Sequence, residues 1–359
     1  MHPVATTFQS QFTESTSRIS GLKVSVVIPL YNKAPYVERA LHSIRAQTLG
    51  DFEVIVVDDG STDDGASVVT QYSDSRVRLI SQPNAGPGPA RNAGIAEAKG
   101  EFIAFLDADD EWLPTYLEAN VRFLEEFGPE LAAITCGYLE YPSGESKETM
   151  WRRRGLKEGV FRVTPETSAP LAVSMLAYMT PPSTVARSEV IRKWGGFYGE
   201  EKCLFAEDAF LWLKILLNEK VAFNFKPLVI IHSEASELSK NLRRARPIEP
   251  FLINPQEIEA ACPAPLRNLL ERMLAIRAAK TACVLGYWGE WRQARLLMQR
   301  FTTAAHWQLP YYAPGLVCST PVGPILGKSW RRLNGVLPEN NRTGKTQSQE
   351  SIDGEPERS

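Results

Sequence analysis

Val24-Ser25-Val26-Val27-Ile28, closed by Pro29, and Val54-Ile55-Val56-Val57, closed by Asp58-Asp59-Gly60-Ser61, decide the fold. Both are short β-branched runs without strict polar alternation. Strands read this way when helices cover both faces of a parallel sheet. Val77-Arg78-Leu79-Ile80 and Phe102-Ile103-Ala104-Phe105-Leu106 repeat the pattern. Helical periodicity fills the gaps between them. Pro35 opens a segment with Val37, Ala40, Leu41 and Ile44 on one face. Ser61 and Asp64 have the spacing of a capping box ahead of Val68, Val69 and Tyr72. Pro89 opens a helix that closes before Gly100. Four alternations of strand and helix predict an α/β fold, a Rossmann-like and mostly parallel sheet with helices on both faces. Ligands bind such sheets in the crevice beyond the carboxyl ends of the strands.

Further along, a helix past Pro114 carries Leu117, Val121 and Leu124 and stops at Gly128. Residues 131–138 read as a strand. Residues 142–170 are charged and irregular, hold Arg152-Arg153-Arg154, and read as a mobile loop. Pro181-Pro182-Ser183-Thr184-Val185 enters another ordered block, and Ala209 to Leu217, apolar almost all round, predicts a buried helix. Residues 266–284 and 290–302, separated by Gly286 and Gly289, read as a helical hairpin appended to the α/β unit. The organisation is then a disordered leader at 1–21, an α/β domain at 22–245 divided into halves 22–128 and 129–245, a helical C-terminal extension at 246–335, and a disordered tail at 336–359.

Composition narrows the function. With 43% hydrophobic and 23% charged residues, the 359-residue chain suits a soluble globular enzyme. A formal charge of −2 does not suit a nucleic-acid binder. No run approaches a membrane span, and Met1 to Ser20 lacks the apolar core of a secretory signal. Cys136, Cys203, Cys262, Cys283 and Cys318 are scattered and form no C-x-x-C pair, which points to a reducing cytoplasm. The charge is uneven: Lys240 to Arg332 holds 14 Lys and Arg against 5 Asp and Glu, a net of +9. Such a block faces an anionic surface or forms solvated helix faces.

Two strands end in carboxylates, Asp58-Asp59 after Val57 and Asp107-Ala108-Asp109-Asp110 after Leu106. Clustered carboxylates at the end of a buried strand cost folding energy through repulsion and desolvation. A divalent cation offsets that cost, and Mg²⁺ in particular prefers one or two carboxylates shared with substrate phosphates. Each motif alone also reads as a turn or a helix cap. Together, on strand ends of one parallel sheet, they point to a nucleoside diphosphate held with Mg²⁺ or Mn²⁺.

Four segments carry a resemblance. Val24 to Asn32, Val56-Val57-Asp58-Asp59-Gly60-Ser61-Thr62-Asp63, Asn84-Ala85-Gly86 with Ala90-Arg91-Asn92, and Phe105 to Asp110 resemble family 2 glycosyltransferases, inverting enzymes of the GT-A fold. The likeness runs over about residues 22–128 and continues more weakly through Pro182-Ser183-Thr184, Gly195-Gly196-Phe197, Glu207-Asp208 and His232. Beyond about residue 245 there is no resemblance. It implies that 22–128 binds a nucleotide sugar, most commonly a UDP-sugar, and that 129–245 shapes the acceptor side.

The resemblance also implies roles. Pro29 and Tyr31 line the base pocket, Asp59 accepts a hydrogen bond from the base, and Asp58 sits beside it. Arg91 approaches the nucleotide and Asp107 the ribose or sugar. Asp109 ligates the metal, His232 assists the metal or diphosphate, and Asp208 is the general base. The residues leave other readings open: Asp208 as a helix cap, His232 as a structural histidine, Arg91 as the partner of a carboxylate. A nucleotidyltransferase would need a Gly-rich loop after the first strand, where Pro29-Leu30-Tyr31-Asn32 stands. A non-catalytic nucleotide binder would have little use for Asp59, Asp109 and Asp208 together. The expected acceptor is a saccharide or lipid-linked hydroxyl in polysaccharide biosynthesis. The basic C-terminal region, with Leu309 to Arg332 mixing aromatics and cations, is expected to make peripheral contact with the inner membrane face.

Overall fold

The computed structural model describes residues 22–200, 202–235, 247–301 and 309–325. The leader at 1–21 and the tail at 336–359 lie outside the described residues. Chain order runs β1 (Val24–Leu30), α1 (Ala34–Arg45), β2 (Phe52–Asp58), α2 (Gly65–Gln71), β3 (Val77–Ser81), α3 (Pro87–Glu97), β4 (Phe102–Phe105), β5 (Glu111–Trp112), α4 (Tyr116–Phe127) and β6 (Leu131–Tyr141). Then come β7 (Glu145–Ser146), α5 (Glu148–Arg153), β8 (Gly159–Phe161), α6 (Ala169–Tyr178), β9 (Thr184–Arg187), α7 (Ser188–Lys193), α8 (Glu207–Asn218) and β10 (Lys220–His232). The helices α9 (Pro250–Ile253), α10 (Gln256–Ala261), α11 (Arg267–Trp288), α12 (Trp291–Arg300) and α13 (Leu309–Cys318) follow.

One sheet in the order β3-β2-β1-β4-β9-β6-β10-β5 spans the molecule. The expected parallel register holds from β3 to β4 and between β6 and β10. β9 runs against both β4 and β6. It starts beside the carboxyl end of β4, where Ala104 pairs with Val185, and so can only run back along the sheet.

Alternate residues of β1 feed two cores. Val24, Val26, Ile28 and Leu30 pack with α1 and α4 residues such as Leu41 and Leu117. Val27, with Ile55, Val57 and Phe105, packs on the other face with Ala90, Leu176 and Trp212. Burial on both faces explains why these strands show no polar alternation. α11 joins the second core through Leu270, Met273, Leu274 and Ile276 and packs along α6. The described part of the helical extension therefore shares a core with the α/β domain.

Three local expectations change. Ser61 does not cap α2: its Oγ accepts from the Asn32 amide, while Asp63 accepts from the Ala34 and Gly65 amides. The polar groups of that turn are spent on joining β1–α1 to β2–α2. Residues 142–170 are not a bare loop but hold β7, α5 and β8. Trp151 is buried there, and Arg152 pairs with Glu148 and Glu158 and lies over Phe225. α11 runs unbroken through Gly286 to Gly289, whose φ is +104°. A Cβ at Gly286 would sit 2.1 Å from the Cys318 carbonyl oxygen, so this glycine serves close helix packing rather than a turn. Among the described residues no helix is long and apolar enough to cross a membrane.

Candidate active site

A cleft of about 800 Å³ opens beyond the carboxyl ends of β1 and β4. Pro29, Tyr31, Asp59, Arg91, Asp107, Asp109 and Asp208 all line it. The wall opposite the sheet is apolar, made of Leu176, Ala177 and Met179 from the end of α6 together with Leu204 and Phe205. Asp58 and His232 do not line the cleft.

Asp59 builds the floor. Its Oδ1 accepts from Gln82 Nε2 (2.7 Å) and the Ala85 amide (2.9 Å), and its Oδ2 from the Gly86 amide (2.8 Å). A buried carboxylate is well held by such donors. Gly86 takes φ +100°, a conformation that favours glycine. The neighbouring Asp58 accepts from the Ser61 amide and so closes the turn after β2.

Gly88 has a different reason. A Cβ there would lie 2.0 Å from the Tyr198 carbonyl oxygen. Asn92, one turn on, exchanges two hydrogen bonds with the main chain of Phe197. A Cβ at Gly196 would strike Asn92 Oδ1 at 2.4 Å. The Gly195-Gly196-Phe197 turn is thus locked onto α3, and it leads into the stretch that presents Glu207 and Asp208. Gly88→Ala is expected to destabilise the fold by roughly 2 kcal/mol or more, the scale of a forced overpacking. Thermal unfolding checks this.

Arg91, 4% exposed, is the central bracket. Its Nη1 donates to Glu207 Oε1 and its Nη2 to Asp107 Oδ1, each at 2.7 Å. Burial alone would favour the neutral guanidine, but Asp107 and Glu207 hold its pKa above the ordinary arginine value. Of the adjacent acids at the start of α8, Glu207 is thereby committed to Arg91. Asp208 is left on the cleft wall, its pKa pushed up to about 7 by removal from water and by the charge of Glu207. Ala206, just before them, takes φ +58°, uncommon for a residue with a side chain. Backbone strain of this kind concentrates at sites that must be aimed.

Asp109 Oδ2 accepts from Lys33 Nζ (2.7 Å), and the same ammonium donates to the Ala235 carbonyl (2.8 Å). Arg39 Nη2 donates to the Asp109 main-chain carbonyl (2.6 Å). His232 lies behind this wall, with Nε2 2.6 Å from Glu111 Oε1 and Nδ1 2.8 Å from Glu234 Oε1. Its amide donates to Asp110 Oδ1. Desolvation and the charges of Asp107 and Asp109 push the Asp110 carboxyl well up.

Residues 25–179 match the sequence profile described as Glycosyl transferase family 2. The chain carries a family 2 glycosyltransferase domain. Over 127 residues it is 43% identical to the succinoglycan biosynthesis protein ExoW of Rhizobium meliloti, covering 33% of this chain and 40% of that one. The matched segments span about two fifths or less of the first curated relatives' length. In fold, the chain is similar to residues 1–349 of S. aureus TarS, crystallised with UDP-GlcNAc, at a TM-score of 0.63 and 21% identity over 86% of this chain and 92% of that one. It is also similar to the mannosyltransferase PcManGT of Pyrobaculum calidifontis, in complex with GDP-Man and Mn²⁺, at a TM-score of 0.52 and 19% identity over 87% of each chain.

The cleft brings together most of the residues singled out in the sequence. Lys33, Lys202 and Arg277 also line the cleft and were not singled out. Lys33 follows the first motif directly, so a cation beside a carboxylate-rich site was the available signal. Arg277 comes from α11, more than 60 residues past the nearest quoted motif that lines the cleft, and gave no signal. Asp107 and Asp109 offer hard oxygen donors on one wall. Among the described residues no group of three or more His, Cys, Asp or Glu is arranged to hold a metal alone. That donor set suits a divalent cation completed by substrate phosphates.

Proposed function

We propose that the chain is an inverting, metal-dependent glycosyltransferase that moves a sugar from a nucleotide-sugar donor, a UDP-sugar, to a hydroxyl of a saccharide or lipid-linked acceptor in polysaccharide synthesis. The observation that carries this reading is the placing of Asp208, with its raised pKa, on the same cleft as Asp107 and Asp109. The glycosyltransferase names of the relatives and the nucleotide sugars bound by the structural neighbours support it.

In this reading Pro29 and Tyr31 flank the base, and the loop pinned by Asp59 forms the floor beneath it. Asp109, with Asp107, would hold the divalent cation, and Lys33 would then share Asp109 with it. The cation supplies charge neutralisation to the departing diphosphate. Asp208 takes the proton from the acceptor hydroxyl as that oxygen bonds to the anomeric carbon and the carbon–phosphate oxygen bond breaks. A carboxylate with a pKa near 7 is well matched to this work at neutral pH. One base serves a single displacement, so inversion follows without a second nucleophilic carboxylate.

A thermal-shift panel of nucleoside diphosphates and nucleotide sugars, with and without Mn²⁺, tests the reading. UDP-sugars are expected to raise the midpoint more with Mn²⁺ than without. No shift with any nucleotide would remove the donor assignment.

A further inference from the structure

We infer that the outer face of residues 313–325, at the end of α13 and just after it, is a docking surface for an anionic phospholipid bilayer. The packing of this segment is inverted. Its small residues face inward: Gly315 lies against Met298, where a Cβ would sit 2.9 Å from the sulfur, and Gly323 lies against the Cys318 main chain. Gly315, Ser319 and Gly323 are buried. Its large apolar residues face outward, with Leu316, Val317, Val322 and Ile325 exposed by 44%, 45%, 50% and 62%. A helix that ends its packing in water shows the opposite arrangement. Large apolar side chains exposed together within one short segment mark a contact surface.

Charge selects the occupant. From Trp291 to Pro338 the sequence has no Asp or Glu, and its charges are Arg292, Arg295, Arg300, Lys328, Arg331 and Arg332. Phe301 to Gly327 carries no charged residue, and the cations stand on both sides of it. Apolar centre, cationic margins and flanking Trp291 and Trp330 are the composition of a segment that sits at a lipid interface. Each cation near an anionic leaflet adds to binding, and salt weakens it. A second copy of the chain is a poorer fit, because a two-fold contact would set these cations against their own kind.

α11 sets where this segment stands relative to the cleft. Gly286, where Cys318 packs, and Arg277, on the cleft wall, are nine residues apart on α11. That separation is about 13 Å along the helix axis. Nine residues are about two and a half turns, so this segment packs on the side of α11 away from the cleft. The inference goes beyond the proposed transfer reaction and is tested without it.

The full-length protein is floated with vesicles of phosphatidylglycerol and phosphatidylcholine, and with phosphatidylcholine alone. The wild type is expected to rise with the anionic vesicles at low salt, to be released by high salt, and to stay down with neutral ones. The combined variant Leu316→Ser, Val317→Ser, Val322→Ser, Ile325→Ser is expected to lose about tenfold or more in vesicle affinity. These side chains are already exposed, so its thermal midpoint and its UDP shift should match the wild type. Equal binding by the variant, or no binding by the wild type at low salt, overturns the inference. So does a concentration-dependent dimer, seen by light scattering, that the variant breaks. Loss of nucleotide shifts in the wild type would count against the transfer reading alone.

Discussion

Asp208→Asn is expected to bind UDP as well as the wild type and to lower the transfer rate by about 10²–10⁴-fold, the range that a positioned general base supplies. Donor binding is spared because Arg91 keeps both Glu207 and Asp107. Steady-state rates beside UDP affinity check the split; retained turnover would exclude Asp208 as the base. The raised pKa adds a pH signature. The base works only when ionised, so wild-type kcat/KM is expected to rise with pH through about 7. Residual activity of the variant should lack that rise. Stability runs the other way. A carboxyl whose folded pKa lies above its unfolded value favours the folded state at low pH, and that contribution is lost as pH rises through the folded pKa. Asp208→Asn should therefore gain thermal stability relative to wild type above pH 7 and little below pH 4. A variant that loses activity and stability together would indicate a packing role instead.

Asp109→Ala is expected to remove the Mn²⁺-dependent part of UDP binding while leaving the metal-free part. Changing a group that merely supports a metal ligand costs 10–100-fold in metal affinity, so loss of a direct ligand should cost about 100-fold or more. Calorimetric titration of UDP with and without Mn²⁺ measures both parts. The wild-type geometry sets the baseline. Lys33 pairs with Asp109 Oδ2 at 2.7 Å, so a cation at this carboxylate would compete with an ammonium already there. The variant also leaves Lys33 with the Ala235 carbonyl, which keeps the wall from collapsing. Undiminished Mn²⁺-dependent affinity would refute the metal role.

The sheet of the front half was legible because its physics is local. β1 to β4 are short, apolar on both faces and joined by short turns, and each property shows in a single run such as Val24 to Ile28. The carboxylates were legible for the same reason: a parallel strand delivers its last residues to one rim, and Asp59, Asp107 and Asp109 stand there. What failed to show depends on contacts between distant segments. Whether Ser61 caps a helix or ties down Asn32 depends on how closely the first two loops approach. Whether Arg91 holds carboxylates or meets a nucleotide depends on Glu207, 116 residues away. The resemblance gave His232 a metal or diphosphate role while its place at a strand end left a structural role open, and the two contacts that bear on the choice, Glu111 and Glu234 flanking its ring behind the cleft, come from 121 residues back and two residues on. The direction of β9 and the entry of Arg277 into the site are likewise long-range events that no periodicity records.

The continuity of the core across residue 245 bears on how acceptor preference can be exchanged between related proteins. α11 packs along α6, shares one core with it through Met273, Leu274 and Ile276, and reaches the cleft with Arg277. Grafting the helical part of another enzyme onto this α/β unit would therefore bring a mismatched interface as well as a new chamber wall. A chimera will inherit the donor's selectivity only if the outward face of α6 travels with the graft, so the natural crossover point lies before Ala169 rather than after His232.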